Sequence, residues 1–174
     1  MSVQIRSSKP EDLAECVRIY NHYVENSVAT FDTQPMIDAE AERWYSSHQN
    51  PLHPLLVAEQ AGRVLGYGSM SKWSTKDAYR RTSEVSVFVS SDHHRKGTGA
   101  ALLDGLLSAA SRVGHRCLIA RIESENLPSI ELFRSRQFLT VGVMHDSGYK
   151  FGRWLNVEIM ERLMKPEQSG EGGS

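Results

Sequence analysis

Only two cysteines occur in 174 residues, and they stand far apart without C-x-x-C spacing. That leaves no material for a disulfide framework or a thiolate metal site. Cys16 and Cys117 both sit in apolar segments and read as reduced core thiols. No apolar run approaches the roughly 18 residues of a membrane span, and the first residues hold no signal-length apolar stretch. An excess of one charge is also missing. Lysine and arginine total 20 against 21 acids, a formal net charge of −1, which argues against a nucleic-acid partner. The seven histidines lack H-x-x-x-H spacing, so no metal is expected. The setting these absences favour is the cytoplasm, with neither nucleic acid nor membrane as partner.

What is present is ordinary globular composition, 40% hydrophobic and 24% charged. A chain near this length buries roughly 70% of its unfolded surface, so one core is affordable without staples. No repeat or linker divides it. Residues 1–165 read as one domain, and 166–174, ending Ser-Gly-Glu-Gly-Gly-Ser, read as a flexible tail.

A short strand, Val3 to Arg6, opens the chain. Pro10, Glu11 and Asp12 then start a helix whose face carries Leu13, Val17, Tyr20 and Val24. After a loop from Asn26 to Pro35, a second helix is expected over Asp38 to His48. Leu55 to Glu59 and Arg63 to Met70 form a hairpin around Gly62. Arg81 to Val89 is the strongest strand, with Val85, Val87 and Val89 on one face and Glu84, Ser86 and Phe88 on the other. A helix follows Gly97-Thr98-Gly99 as far as Val113. Cys117 to Ile122 is a buried strand, Pro128 to Arg136 a short helix, and strands near 139–145 and 154–162 flank a loop, Asp146 to Gly152. The order β-α-α-β-β-β-α-β-α-β-β contains one strand–helix–strand crossover, so Arg81–Val89 and Cys117–Ile122 should run parallel. The expected fold class is α/β (α+β): a mixed, largely antiparallel sheet in three layers.

The stretch from Val87 to Leu103 joins a buried strand, a basic glycine-containing turn and a helix start. Such a turn gathers backbone N–H groups and the positive helix end, and Arg95 and Lys96 add full charges, which suits a pyrophosphate. It is not a P-loop, since no lysine follows the second glycine, and not a G-x-G-x-x-G fingerprint, since position 102 is leucine. Asn126, alone, reads as a helix N-cap. Yet both helix starts lie at the C-terminal ends of adjacent parallel strands, where open sheets bind ligands.

The turn His94-Arg95-Lys96-Gly97-Thr98-Gly99 with the later Asn126-x-x-Ser129 resembles the GNAT superfamily of acetyl-CoA-dependent N-acetyltransferases. Asn21-His22-Tyr23, Thr30 to Pro35, Thr82-Ser83-Glu84 and Lys150 to Trp154 are similar to its branch that acetylates phosphinothricin and methionine sulfoximine. The resemblance spans Ile5 to about Met164. It implies a central parallel pair that splays apart, often through a bulge in the first strand, with helices on both faces. It implies acetyl-CoA as cosubstrate and a small-molecule amine as partner. Pantetheine would pair with Val87, Phe88 and Val89. The pyrophosphate would rest on Arg95 to Ala100, through Lys96, Gly97, Thr98 and Gly99, with His94 where glutamine or arginine is usual. Asn126 and Ser129 would hold the rest.

Acetyl transfer needs a neutral amine. A lysine-like amine is neutral in about one molecule per few thousand at pH 7, a deficit of roughly 4–5 kcal/mol. Glu84 is the candidate base, because a carboxylate inside a strong strand is costly unless paired or functional. Its plain alternative is an ion pair with Arg80 or Arg81. A backbone N–H near Val87 would steady the oxyanion. Phe133 occupies the position where the resemblance places a tyrosine or histidine acid, which leaves Tyr149, water, or unaided thiolate departure. Phe31, Trp73, Arg80, Lys150 and Arg153 are expected around the acceptor, the basic ones toward a carboxylate. Taken singly, Phe31 and Trp73 read as packing residues and Arg153 as a surface charge. The branch also implies a homodimer, for which exposed Trp44, Tyr45 or Trp154 would speak. Two other readings are an acetyltransferase for a peptide amine, protein amine or polyamine, marked by an acidic acceptor face, and a non-catalytic CoA-binding sensor.

Overall fold

Val85 and Val89 point to one side of the central strand and Phe88 to the other, so the sheet that holds it is covered on both faces. The computed structural model describes residues 2–165; the tail expected at 166–174 lies outside the described residues. The strands are β1 (Gln4–Ser7), β2 (Leu55–Gln60), β3 (Arg63–Lys72), β4 (Thr82–Val89), β5 (Cys117–Glu123), β6 (Leu139–Lys150) and β7 (Arg153–Leu163). They form one seven-stranded sheet in the order β1-β2-β3-β4-β5-β7-β6, antiparallel except at β4–β5. This is the mixed, largely antiparallel α/β fold that the sequence pattern implies.

Helices α3 (Thr98–Val113) and α4 (Leu127–Ser135) cover one face, where Leu102, Leu103 and Leu106 meet Val85, Leu118 and Phe138. Helices α1 (Leu13–Asn26) and α2 (Asp38–Ser47) cover the other, where Cys16 and Ile19 meet Val57 and Tyr67. Trp44 and Tyr45 pack into this second core, so they are not the exposed aromatics that self-association would use; Trp154 is 62% exposed.

The feature that positions the site is where β4 and β5 part. Their parallel register runs from Thr82↔Cys117 only to Glu84↔Ile119. Beyond it β4 stays with β3 as far as Gly66↔Val89, while β5 follows β7 to Glu123↔Val157. The expected bulge is absent: β3 and β4 keep one register from Lys72↔Ser83 to Gly66↔Val89. The gap opens because each strand follows its outer neighbour, not because β4 breaks.

The loop expected from Asp146 to Gly152 is instead mostly strand. β6 continues to Lys150 by absorbing the polar residues in register shifts between Thr140 and Gly142 and between Met144 and Gly148. The Asp146 N–H is satisfied by Asn156 Oδ1 at 2.9 Å. The connection shrinks to Phe151 and Gly152, both at positive φ (51° and 75°), the two-residue hairpin geometry that matches strand twist.

Candidate active site

Two cavities meet at the splay. The first, about 620 Å³, is walled by Val85–Val89 of β4, the turn after it, the end of β5, the start of α4 and Ser27–Ala29. The second, about 520 Å³, lies on the α1–α2 side and is lined by Phe31, Asp32, Ser69, Ser71, Glu84 and others. Ala29, Ser86, Phe88, Arg121 and Glu123 line both. Phe88 is the partition, held edge-on by Tyr20 and Tyr23 at 5.3 Å each.

The basic turn is built for close backbone approach. Arg95 sits at φ 59° and Gly97 at φ 82°; nothing crowds Gly97, so its conformation is what requires glycine there. Gly97 caps α3, and Gly99 in its first turn lines the first cavity. A short 3₁₀ turn, Ser91–His93, which the sequence pattern did not predict, feeds into it. His94 is an anchor. Val89 O can only accept, so Tyr23 donates its hydroxyl hydrogen there at 2.6 Å, and His94 Nε2, 2.7 Å from that hydroxyl, carries the hydrogen that closes the triangle. Burial raises the Tyr23 hydroxyl pKa, so it keeps its proton.

Of the residues expected at this end, Val87, Phe88, Val89, His94, Arg95, Gly99, Asn126 and Ser129 line the first cavity. Lys96, Gly97, Thr98 and Ala100 shape the turn without lining it; Lys96 Nζ folds back to Asp92 O at 2.8 Å, and Thr98 is buried. Asn126 is an N-cap as well as a wall residue, its Oδ1 accepting from the Ser129 N–H at 3.3 Å. Phe133 is 3% exposed against Phe138, and no hydroxyl stands in its place. Tyr149 stacks on Trp154 at 5.0 Å and reaches neither cavity.

The first cavity fits a long ligand with a phosphate end and an extended, amide-bearing arm. The edge of β4 beyond Glu84 has lost its parallel partner, and an arm entering the gap can supply one. In addition His93 Nδ1, on a wall residue that the pattern reading missed, is sealed from solvent without a partner among the described residues.

The second cavity differs from expectation. Phe31 lines it, but Trp73, Arg80, Lys150 and Arg153 do not. Lys150 is 5% exposed and points inward, its Nζ donating to Ser27 O (2.7 Å) and Thr30 O (2.8 Å); burial lowers its pKa. Arg153 lines the first cavity and pairs with Glu125 at 2.9 Å. Arg80 ends the exposed 3₁₀ turn Asp77–Tyr79. Trp73 stacks under Arg121, 5.9 Å from ring centre to guanidinium carbon. Among the described residues the charged wall groups are Asp32, Glu84 and Glu123 against one cation, Arg121, so the face is acidic where the pattern implied a basic one.

Arg121 is a wall residue of both cavities that sequence reasoning missed. It is also the partner of Glu84, in place of Arg80 or Arg81: Nε and Nη2 hold the two carboxylate oxygens at 2.8 Å each. Arg81 instead caps α3 at Val113 O. Ser71, the cross-strand neighbour of Glu84, carries the wall back to buried His48, whose Nε2 lies 3.2 Å from Ser71 Oγ.

The Acetyltransferase (GNAT) domain model matches residues 5–159. The L-methionine sulfoximine/L-methionine sulfone acetyltransferase of Pseudomonas aeruginosa PAO1 is 38% identical over 170 residues, 97% of this chain and 99% of its own. Among solved structures, YncA of Salmonella typhimurium with its cofactor acetyl-CoA superposes with a TM-score of 0.92 at 34% identity, covering 99% of this chain and all of that one. A phosphinothricin acetyltransferase of Sinorhizobium meliloti in complex with acetyl-CoA gives 0.90 at 33%, covering 97% and 95%.

Proposed function

This chain belongs to the GNAT acetyltransferase family, and from that premise we propose that it transfers an acetyl group from acetyl-CoA to the amine of a small amino-acid-like substrate. The observation that carries the reading is the shared wall: a cleft suited to the cosubstrate and an acidic pocket suited to an amine meet at Ser86 and Phe88. The substrate class is supported by relatives named for methionine sulfoximine, methionine sulfone and phosphinothricin.

In this account Arg95 and the turn hold the pyrophosphate, Val87 to Val89 pair with the pantetheine arm, and Asn126 and Ser129 close the far side. Glu84, at the edge of the acceptor pocket, takes the proton from the ammonium group. The freed nitrogen bonds to the acyl carbon, the C–S bond breaks, and the nitrogen sheds its second proton to water as the amide forms. With Phe133 offering no proton, CoA departs as the thiolate, a competent leaving group at a thiol pKa near 8.5.

One second reading is favoured by a specific observation. Three carboxylates around the pocket suit a polyamine or peptide amine carrying positive charge alone. We also propose a cytoplasmic homodimer of a single catalytic unit over residues 1–165. Two free cysteines, Cys16 buried with its thiol pushed up to about 12, support a reducing compartment. Leu139, Val141, Val143 and Met144, all at least 40% exposed on edge strand β6, support self-association. Met144 also lines the acceptor pocket, so a partner copy would border it.

The test is product identity. Purified protein is incubated with acetyl-CoA and methionine sulfoximine, phosphinothricin, spermidine or a short peptide, and N-acetylated products are identified by mass spectrometry. Acetylation of the first two supports the reading. Acetylation of spermidine or peptide alone would move it to the second, and no product with any amine would sink both.

A further inference from the structure

Arg121 and Glu84 form a complete ion pair inside a ligand pocket, and that is an odd place for one. The Glu84 side chain is 19% exposed and that of Arg121 50%, so the pair contributes little to folding. Two nitrogens of the guanidinium are spent on Glu84, and Nη1 has no hydrogen-bond partner among the described residues. Trp73 steadies the guanidinium plane from its own side. Among the described residues Arg121 is the one cation in the pocket lining, and it borders the first cavity too.

An amino acid is the mirror of this pair, a carboxylate and an ammonium held one carbon apart. We propose that the Arg121–Glu84 fork is a template for a zwitterionic acceptor, with Arg121 the specificity residue that takes its carboxylate and Glu84 the group that takes its ammonium. The inference rests on the acyl-transfer reading and on Glu84 as base.

Arginine suits the task because its planar donors meet a carboxylate two at a time. The arrangement also joins recognition to chemistry. A carboxylate arriving at the guanidinium competes for the N–H groups that hold Glu84, and Glu84 then turns to the ammonium, whose proton it accepts. A polyamine has nothing to offer Arg121 and meets it as a like charge. Three acidic walls alone would therefore not make it a good acceptor.

The test compares kcat/KM for methionine sulfone, its uncharged carboxamide and putrescine, in wild type, Arg121→Gln and Arg121→Lys. The carboxamide's amine loses its proton more easily, so chemistry alone favours it, and a preference for the acid reports recognition. Wild type is expected to prefer the acid by about 30-fold or more, the worth of a charge-assisted bidentate contact. Arg121→Gln should shrink that ratio to within about 3-fold, mainly by raising KM for the acid, and Arg121→Lys should restore part of it. The ratio is internal to each protein, so a misfolded fraction does not move it. A wild-type ratio near one, an unchanged ratio in Arg121→Gln, or putrescine as the better substrate overturns the inference while leaving acetyl transfer intact. Turnover of none of the three would instead sink the acyl-transfer reading beneath it.

Discussion

Gly148 packs directly against the ring of Phe31. A Cβ at this position would fall on the Phe31 Cδ2 and Cε2 atoms. Phe31 lines the acceptor pocket, so a residue in β6 sets how far that pocket extends. Gly148→Ala should displace the ring and raise KM for the acceptor by about 10-fold, since small misplacements in a site are costly. Acetyl-CoA affinity, measured by calorimetry on the same protein, should not change. An equal loss at both substrates would mean the glycine serves the fold rather than the pocket.

Lys150 ties the same strand to the loop that lines both cavities, through Ser27 O and Thr30 O. Replacing it with methionine keeps the stem buried and leaves two carbonyls unpaired. Urea unfolding should show a loss of about 2–3 kcal/mol. A loss below about 0.5 kcal/mol would mean water takes over both bonds.

His48 sits at 5% exposure between α2 and β3, its Nδ1 2.7 Å from Trp44 O. Trp44 O can only accept, so Nδ1 carries the hydrogen, and burial holds the imidazole pKa below its ordinary 6.5. The unfolded chain takes up a proton near pH 6.5 that the folded chain resists. The contribution of His48 to stability is therefore complete above 6.5 and falls as pH drops from there toward the folded pKa. Its slope is at most about 1.4 kcal/mol per pH unit. Urea midpoints of wild type should fall between pH 7 and 5.5 more steeply than those of His48→Gln. Parallel profiles would remove His48 as the source.

Much of the wall of the first cavity is legible in the sequence because its signals are local. Alternation fixed β4 and its two faces, and glycine with charge marked the turn that carries Arg95 and Gly97. The acceptor side depended on things no local pattern encodes. Lys150 turns inward because register shifts extend β6 past the polar residues that read as a loop. Arg153 reaches Glu125 because a two-residue turn, with phenylalanine in a position that ordinarily favours asparagine, places it at the start of β7. Arg121 had a signal that went unused. It is a charge within an apolar strand, Cys117 to Ile122, the same oddity that singled out Glu84 in β4. Applied to both strands, that argument would have paired the two, since Glu84 and Ile119 share a register position and Arg121 follows on the same face.

In the proposed reaction Glu84 works on the acceptor from outside the first cavity, whose lining does not include it. The most direct test of that role is the kcat of Glu84→Gln at pH 7 with methionine sulfone, alongside the dissociation constant for acetyl-CoA. The kcat should be lower by about 100-fold or more, the usual worth of a general base, with acetyl-CoA binding unchanged. Wild-type kcat in Glu84→Gln would contradict it, and the proton would then have to leave by another route.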